Sequence, residues 1–454
     1  MKQIASPCAF VILLATALFA KSAPLPMISQ PLVPDSVAPG SKPFTLTLNG
    51  YGFASNAIVH WDGSPRITKI VSSNQLRAKI TAADVAKAHT AWVTVVNPGK
   101  RTSNVVYFPI QKRTQKVSFT QQSLPSGGVV AVGDFNNDGI LDVALGINND
   151  SQQSGAIEVF LGKGNGSFST PVVTDLNFDG IFALQAADFN GDGNLDLAVS
   201  YSNGFTGVYF FLGDGKGYFT QAPKYGLNTA PLNAIGDFNE DGKIDVISWP
   251  NVYLGNGDGT FTPGFFFDDG ESVGAVAVGD FNGDGQLDLA CIIDSRRQVI
   301  ILLGNGDGTF EMASSYSIPY ASSGVTAVDV NHDGKLDLVT DGISVLLGNG
   351  DGTFVVSGGF DVNGQDDVGI NVGDFNGDGN VDFAIDLVDY YGDQNLNIFL
   401  GKGDGSFEEP LVFNASSDFC CFYDGMGDFN NDGKLDFVLP NRSNDQVFFG
   451  QVNP

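Results

Sequence analysis

Histidine is nearly absent from this chain of 454 residues, with only His60, His89 and His332. Cysteine is equally sparse, at Cys8, Cys291, Cys420 and Cys421. No CxxC or Cys/His spacing builds a zinc site, no Ser-His-Asp arrangement can be read, and four cysteines are no disulfide scaffold. Basic residues are outnumbered, 23 against 51 acids, for a formal net charge of −28. Such a surface repels phosphate backbones and anionic lipid, which excludes nucleic acid as a partner. No stretch beyond the N-terminus approaches 18 apolar residues, so no spanning segment is expected in the mature chain. The repeat region described below also lacks any amphipathic helix of three turns, and its GDG and GNG strings lack the following Lys and helix of a phosphate loop.

Glycine, in contrast, is abundant at 58 residues, and Phe reaches 36. The opening MKQIASPCAFVILLATALFAKSAP has a basic start, a short apolar run and small residues after it. This predicts a signal peptide over 1–23 and an exported protein. The charge is split. Residues 24–115 hold ten Lys or Arg against Asp35, Asp62 and Asp84, a balance of +7, whereas 116–454 hold 11 basic and 48 acidic residues, a balance of −37.

A nine-residue string, DFNxDGxxD, begins at Asp134, Asp188, Asp237, Asp280, Asp329, Asp374 and Asp428. A second string, LGxGxGxF, follows six of the seven. Each unit of about 49 residues reads as four short strands, from period-two alternation and Gly/Asp/Asn turns. Four strands per unit match one blade of a β-propeller, and seven units predict seven blades. The last unit ends at DQVFFG without a fourth strand, while KVSFTQQSL (116–124) precedes the first loop. Phe119 aligns with the Phe of the second string, so 116–124 is expected to supply the missing strand and close the ring.

Within each loop, oxygen-bearing side chains recur at fixed positions. Position one is Asp134, Asp188, Asp237, Asp280, Asp329, Asp374 or Asp428. Position three is Asn136, Asn190, Asn239, Asn282, Asn331, Asn376 or Asn430, and position five is Asp138, Asp192, Asp241, Asp284, Asp333, Asp378 or Asp432. Position nine is Asp142, Asp196, Asp245, Asp288, Asp337, Asp382 or Asp436. A glycine at position six lets the chain turn and aim the carbonyl of position seven inward: Ile140, Asn194, Lys243, Gln286, Lys335, Asn380 or Lys434. Hard oxygens at this spacing suit Ca²⁺, and carboxylates this close would otherwise repel and protonate. About seven structural calcium ions are expected.

The loops resemble the FG-GAP and VCBS repeats of calcium-binding propellers, related to the head of integrin alpha chains. That resemblance implies the same ligand positions, and a scaffold found in adhesion and recognition proteins and as an accessory to enzymes. Loop five departs from the pattern with Val330 and His332, neither at a side-chain ligand position. Before the propeller, LTLNGYGF, VHWDG and VTVVNPG resemble the IPT/TIG immunoglobulin-like family. Trp61 and Trp92 read there as core or half-buried residues, and the +7 charge as a face for the acidic propeller, for an acidic polymer or for solvent.

The fold class expected is therefore all-β, a seven-bladed β-propeller preceded by a small immunoglobulin-like β-sandwich. The boundaries are 1–23 signal, 24–30 proline-rich linker, 31–112 sandwich and 113–454 propeller. Strand parity puts the Asp loops and the GxGxG turns at one end of every blade, and the variable loops at the other. Those loops include 386–395 and 414–425, with Tyr390, Tyr391 and Phe422, and the shorter Trp249-Pro250 and Arg296-Arg297. No catalytic residue stands out. The reading is a secreted or cell-surface calcium-stabilised binding or adhesion protein with a carbohydrate or extracellular protein partner. A polysaccharide-degrading hydrolase or lyase and a structural envelope component are the alternatives.

Overall fold

The computed structural model describes residues 23–114, 117–149, 154–202, 206–227, 231–267, 273–319, 322, 324–359, 365–388, 394–414, 425–439 and 446–450. Residues 1–22 of the expected signal segment lie outside these residues, as do Tyr390, Tyr391, Cys420, Cys421 and Phe422. The described chain is all-β, with a single 3-10 turn at Asp294–Arg296. Among the described residues no helix is long and apolar enough to cross a membrane.

From Val129 onward the strands assemble into antiparallel four-stranded sheets in strict chain order. The first is Val129–Gly133, Asp142–Asn149, Ser154–Phe160 and Val172–Leu176, and five more follow the same plan up to Leu411–Asn414. The seventh combines Gly425–Gly427, Asp436–Leu439 and Gln446–Gly450 with Phe119–Ser123 from the start of the region. Phe119 pairs with Gly450, the register in which Phe219 pairs with Gly213, Phe310 with Gly304 and Phe354 with Gly348. The sequence alignment of Phe119 thus corresponds to a real strand position. Second strands such as Asp288–Ile293 are buried along their whole length, because they are covered by a sheet on either side. Cys291 is one of these buried residues, packed as a small hydrophobe.

Neighbouring sheets share apolar cores, and the cores run in a cycle. Phe135, Ile157 and Phe219 join the first sheet to the second, Phe189, Phe210 and Phe261 the second to the third, and Ile247, Leu289 and Phe310 the third to the fourth. Ile292, Leu338 and Phe354 link the fourth to the fifth, and Val330, Phe383 and Phe407 the fifth to the sixth. Leu396, Phe437 and Phe448 link the sixth to the seventh, while Val143, Phe160, Phe429 and Phe449 return from the seventh to the first. The loop-one Phe135 ring meets Phe219 of the next GxGxF string at 5.8 Å, and Phe281 meets Phe354 at 5.6 Å. In loop five Val330 takes that place and packs with Phe407, so the departure from the pattern keeps the core filled.

Residues 27–110 form two further sheets over one core. One orders Met27–Val33, Phe44–Tyr51, Gln75–Ile80 and Thr68–Ser72, and the other centres on His89–Asn97, flanked by Ile58–Trp61 and Val106–Ile110. Trp61 is fully buried against Phe108, with ring centroids 5.0 Å apart, and Trp92 is half-buried. The expected proline-rich linker over 24–30 is corrected here. Met27–Val33 is a strand paired with Phe44–Tyr51, and its one proline, Pro31, is tolerated because the strand lies at a sheet edge.

Candidate metal centres

All seven Asp loops have one backbone conformation. Their fourth and sixth residues have positive φ, whether glycine or, at position four, Asn137, Glu240, His332 and Asn431. The first aspartate makes the turn. Its Oδ1 accepts the position-five amide at 2.9–3.1 Å and its Oδ2 the position-six amide at 2.8–3.0 Å in every loop. The fifth aspartate accepts the position-seven amide through Oδ1, as Asp138 does from Ile140 and Asp284 from Gln286.

The ninth aspartate has a second task that the spacing did not announce. Asp142 Oδ2 accepts the amide of Phe135 at 2.9 Å, and its Oδ1 accepts that of Gly162 at 2.8 Å, beyond the third strand. Asp196, Asp245, Asp288, Asp337, Asp382 and Asp436 repeat both bonds, and all seven are wholly buried. In the first six sheets each therefore pins its loop to the GxGxG turn of the same sheet, and Asp436 pins loop seven to Gly450 at the end of its third strand. Those turns reach in turn to the preceding loop: Gly217 N donates to Phe135 O at 3.1 Å and Gly166 N to Phe429 O at 3.0 Å. Loops and turns thus share one end of the sheets, as parity required, and the Gly166 bond joins the first sheet to the seventh.

Residues 134–199, 188–248, 237–291 and 280–340 match the FG-GAP-like repeat family, which spans five of the seven loops. Residues 134–340 are FG-GAP-like repeats, within a region whose sheets follow the order of a β-propeller. No curated relative matches the chain. Similar solved structures include a protein from Lactobacillus plantarum, at 13% identity over 78% of this chain and 95% of that one, with a TM-score of 0.45. The periplasmic gluconolactonase PpgL of Pseudomonas aeruginosa matches at 13% over 73% and 93%, TM-score 0.44. An auxiliary nutrient binding protein from Bacteroides ovatus matches at 12% over 94% and 98%, TM-score 0.36.

Electrostatically, the propeller loops are in deficit. Burial, and then the carboxylates at positions one and five, push the ninth carboxyls far up: Asp142, Asp196, Asp245 and Asp288 to about 7, Asp337 to about 6 and Asp436 to about 9. Asp382 moves in the same direction for the same causes. Among the described residues no group of three or more His, Cys, Asp or Glu side chains stands preassembled as a metal cage. The donor set nevertheless fits a hard dication. The oxygens are carboxylates and carboxamides bound to backbone amides, and one of them, Asn376 Oδ1, is buried with no hydrogen-bond partner. In the other six loops that oxygen accepts the position-five amide.

The structure brings something else to these loops, in line with one of the three readings of the +7 charge. The N-terminal domain sits on the Asp-loop end of the propeller. Leu25 N donates to Asp237 Oδ2 at 2.8 Å, Asn74 Nδ2 to Asp280 Oδ2 at 2.8 Å, Ser36 Oγ to Asp374 Oδ2 at 2.7 Å and Thr90 N to Asp428 Oδ2 at 2.9 Å. Asp329 N donates to Gln30 O at 3.2 Å, and Arg101 Nε to Gly242 O at 2.9 Å. Among the described residues, no such bond reaches Asp134 or Asp188. The only available signal was the opposite charge of the two domains. Position seven was also underread: Lys243 Nζ lies 3.2 Å from Asp241 Oδ2 and Lys335 Nζ 3.5 Å from Asp333 Oδ2.

Proposed function

We propose that this is an exported binding protein: a seven-bladed propeller stapled by calcium in its Asp loops, carrying an immunoglobulin-like domain of the IPT/TIG kind. Positions one, three, five and nine would hold each calcium with the carbonyl of position seven. Bound calcium would neutralise the clustered carboxylates and fix the first two strands of each blade. Asp280, Asn282, Asp284, Gln286 and Asp288 exemplify the set. The apolar run of the leader supports export.

One observation carries the binding role: the N-terminal domain covers the Asp-loop end, hydrogen-bonding to the first aspartate of loops three to seven. The cavity left between the two parts, beside Asp35 and Asp374, holds about 30 Å³, roughly one water. A carbohydrate or protein ligand is therefore assigned to the opposite end, where the chain varies most from blade to blade. Partly buried aromatic side chains are present there, as in Tyr209 and Phe178, with ring centroids 4.9 Å apart. Trp249 is not available in this way, since it is buried against Phe267 at 4.2 Å.

Calcium-loaded protein on a broad glycan array, together with capture from isolated cell envelopes, tests the reading. A retained glycan or envelope protein, released unchanged, is the expected result. Turnover of a polysaccharide would replace binding by catalysis, and retention of nothing in either format would end the proposal.

A further inference from the structure

Loop six is the exception among the seven, and its surroundings explain why. Residues 35–37 and 111–114 close over it: Ser36 Oγ bonds Asp374 Oδ2, Gln111 Nε2 donates to Asp374 O at 2.8 Å, and Thr114 N donates to Asn376 O at 2.7 Å. Under this cover three buried oxygens have no hydrogen-bond partner: Asn376 Oδ1 in the loop, and Asp35 Oδ2 and Gln111 Oε1 facing it. Asn376 is 6% exposed and Asp374 5%.

Asp35 is one of only three acids in a segment of ten basic residues, yet it stands beside the most acidic wall available. Asp35 and Asp374 border the same cavity of about 30 Å³, whose remaining lining is mostly apolar, with Leu32, Val381 and Leu435. Asp35 Oδ1 comes within 3.4 Å of where a side chain on Gly379 would begin. The charged groups facing it are Asp374 and His332. A buried cation does lie near Asp374: Lys434 of the next loop feels the charge of that carboxylate, although its Nζ makes no hydrogen bond. Arg113 reaches Asp378 at 3.4 Å but is 71% exposed.

We propose that Asp35 completes the calcium site of loop six, so that one calcium ion ties the N-terminal domain to the propeller. The inference rests on the calcium reading of the loops. In it, Asp374, Asn376, Asp378, Asn380 and Asp382 supply the propeller's share and Asp35 supplies the other domain's. Calcium at this one loop then fixes the joint over 111–114, whereas calcium at loops one and two stabilises their blades alone.

The test uses the full mature chain and its Asp35→Asn variant, with trypsin cleavage after Lys112 and Arg113 followed against free calcium, and thermal unfolding recorded in parallel. Wild type is expected to gain protection at the joint as calcium rises. In Asp35→Asn the calcium concentration for half-protection should rise by about 10–100-fold, the usual consequence of losing a ligand-shell partner. In chelator the sign reverses, and the variant should be cut more slowly than wild type, because a like charge facing Asp374 is gone. A variant that merely folds badly would be cut faster in both conditions, which counts against the proposal. An unchanged midpoint, with unfolding of both chains still responding to calcium, overturns it and leaves the calcium loops intact. If neither cleavage nor unfolding of wild type responds to calcium, the loop reading itself fails.

Discussion

Loops one and six, DFNNDGILD and DFNGDGNVD, share the bonds from the position-five and position-six amides to the first aspartate, yet their settings differ. Asp138 in loop one is exposed, and Asp134 takes bonds only from its own loop. Asp374 in loop six is buried and takes a further bond from Ser36. A repeat motif therefore specifies a local conformation, while the burial of each copy is set by what lies over it. Loops one and two face solvent, whereas loops three to seven meet the N-terminal domain.

The largest effect expected is from removing calcium altogether. A ligand at 100 times its dissociation constant stabilises the folded state by about 2.7 kcal/mol per site. Chelation should therefore lower the melting temperature sharply, and calorimetry should resolve an early step from the open blades. Simultaneous loss of all bound calcium in one step, with no difference between open and covered loops, would break the comparison.

Next come paired substitutions at position one. Asp374→Ala leaves the Ser36 hydroxyl and several loop amides unpaired in a buried setting, at about 1–3 kcal/mol for each unsatisfied group. Asp188→Ala leaves amides that water can reach, so its effect should be about 1–2 kcal/mol in total. Denaturant unfolding of the two variants measures the gap, and equal losses would show that the cover contributes nothing.

Acidity sharpens the same contrast. In metal-free protein Asp142, Asp196, Asp245 and Asp288 bind protons near pH 7, Asp337 near pH 6 and Asp436 near pH 9, with Asp382 moved in the same direction, while in the unfolded chain such carboxyls do so near pH 4. The folded state then holds more protons, so metal-free stability is greatest in acid and falls as pH rises through the folded values. Calcium needs the ionised form, so its stabilisation should grow over the same interval. Melting temperatures from pH 5 to pH 9, with calcium and with chelator, should diverge as pH rises. Parallel curves would contradict the loop electrostatics.

Much of this was legible in the residues. Seven Asp loops at even spacing fixed the sheets, and the Phe119 register joined the first strand of the region to the last sheet. The contacts that cover the loops were not legible, because they depend on the backbone amides of Leu25 and Thr90 and on single polar side chains, Ser36 and Asn74, that form no motif. The staple made by the ninth aspartate was hidden for another reason. A carboxylate spaced for a metal and one spaced for two backbone amides look alike in sequence, and here the same residue does the second in every blade.

The smallest effect expected separates covered loops from one another. Lys243 and Lys335 place an ammonium beside the position-five carboxylate of loops three and five, where loops one, two, four and six have Ile140, Asn194, Gln286 and Asn380. An ammonium on that oxygen competes with a dication for the same charge. Both lysines are about two-fifths exposed, so the pairs themselves are worth at most about 1 kcal/mol. Lys243→Met and Lys335→Met should therefore leave metal-free stability nearly unchanged while tightening calcium binding at loops three and five by a few-fold. Calorimetric titration of the double variant measures the change. A weakened affinity would mean that the lysines hold the loops in their binding shape, and the difference between loops would then lie in preorganisation rather than in competition for charge.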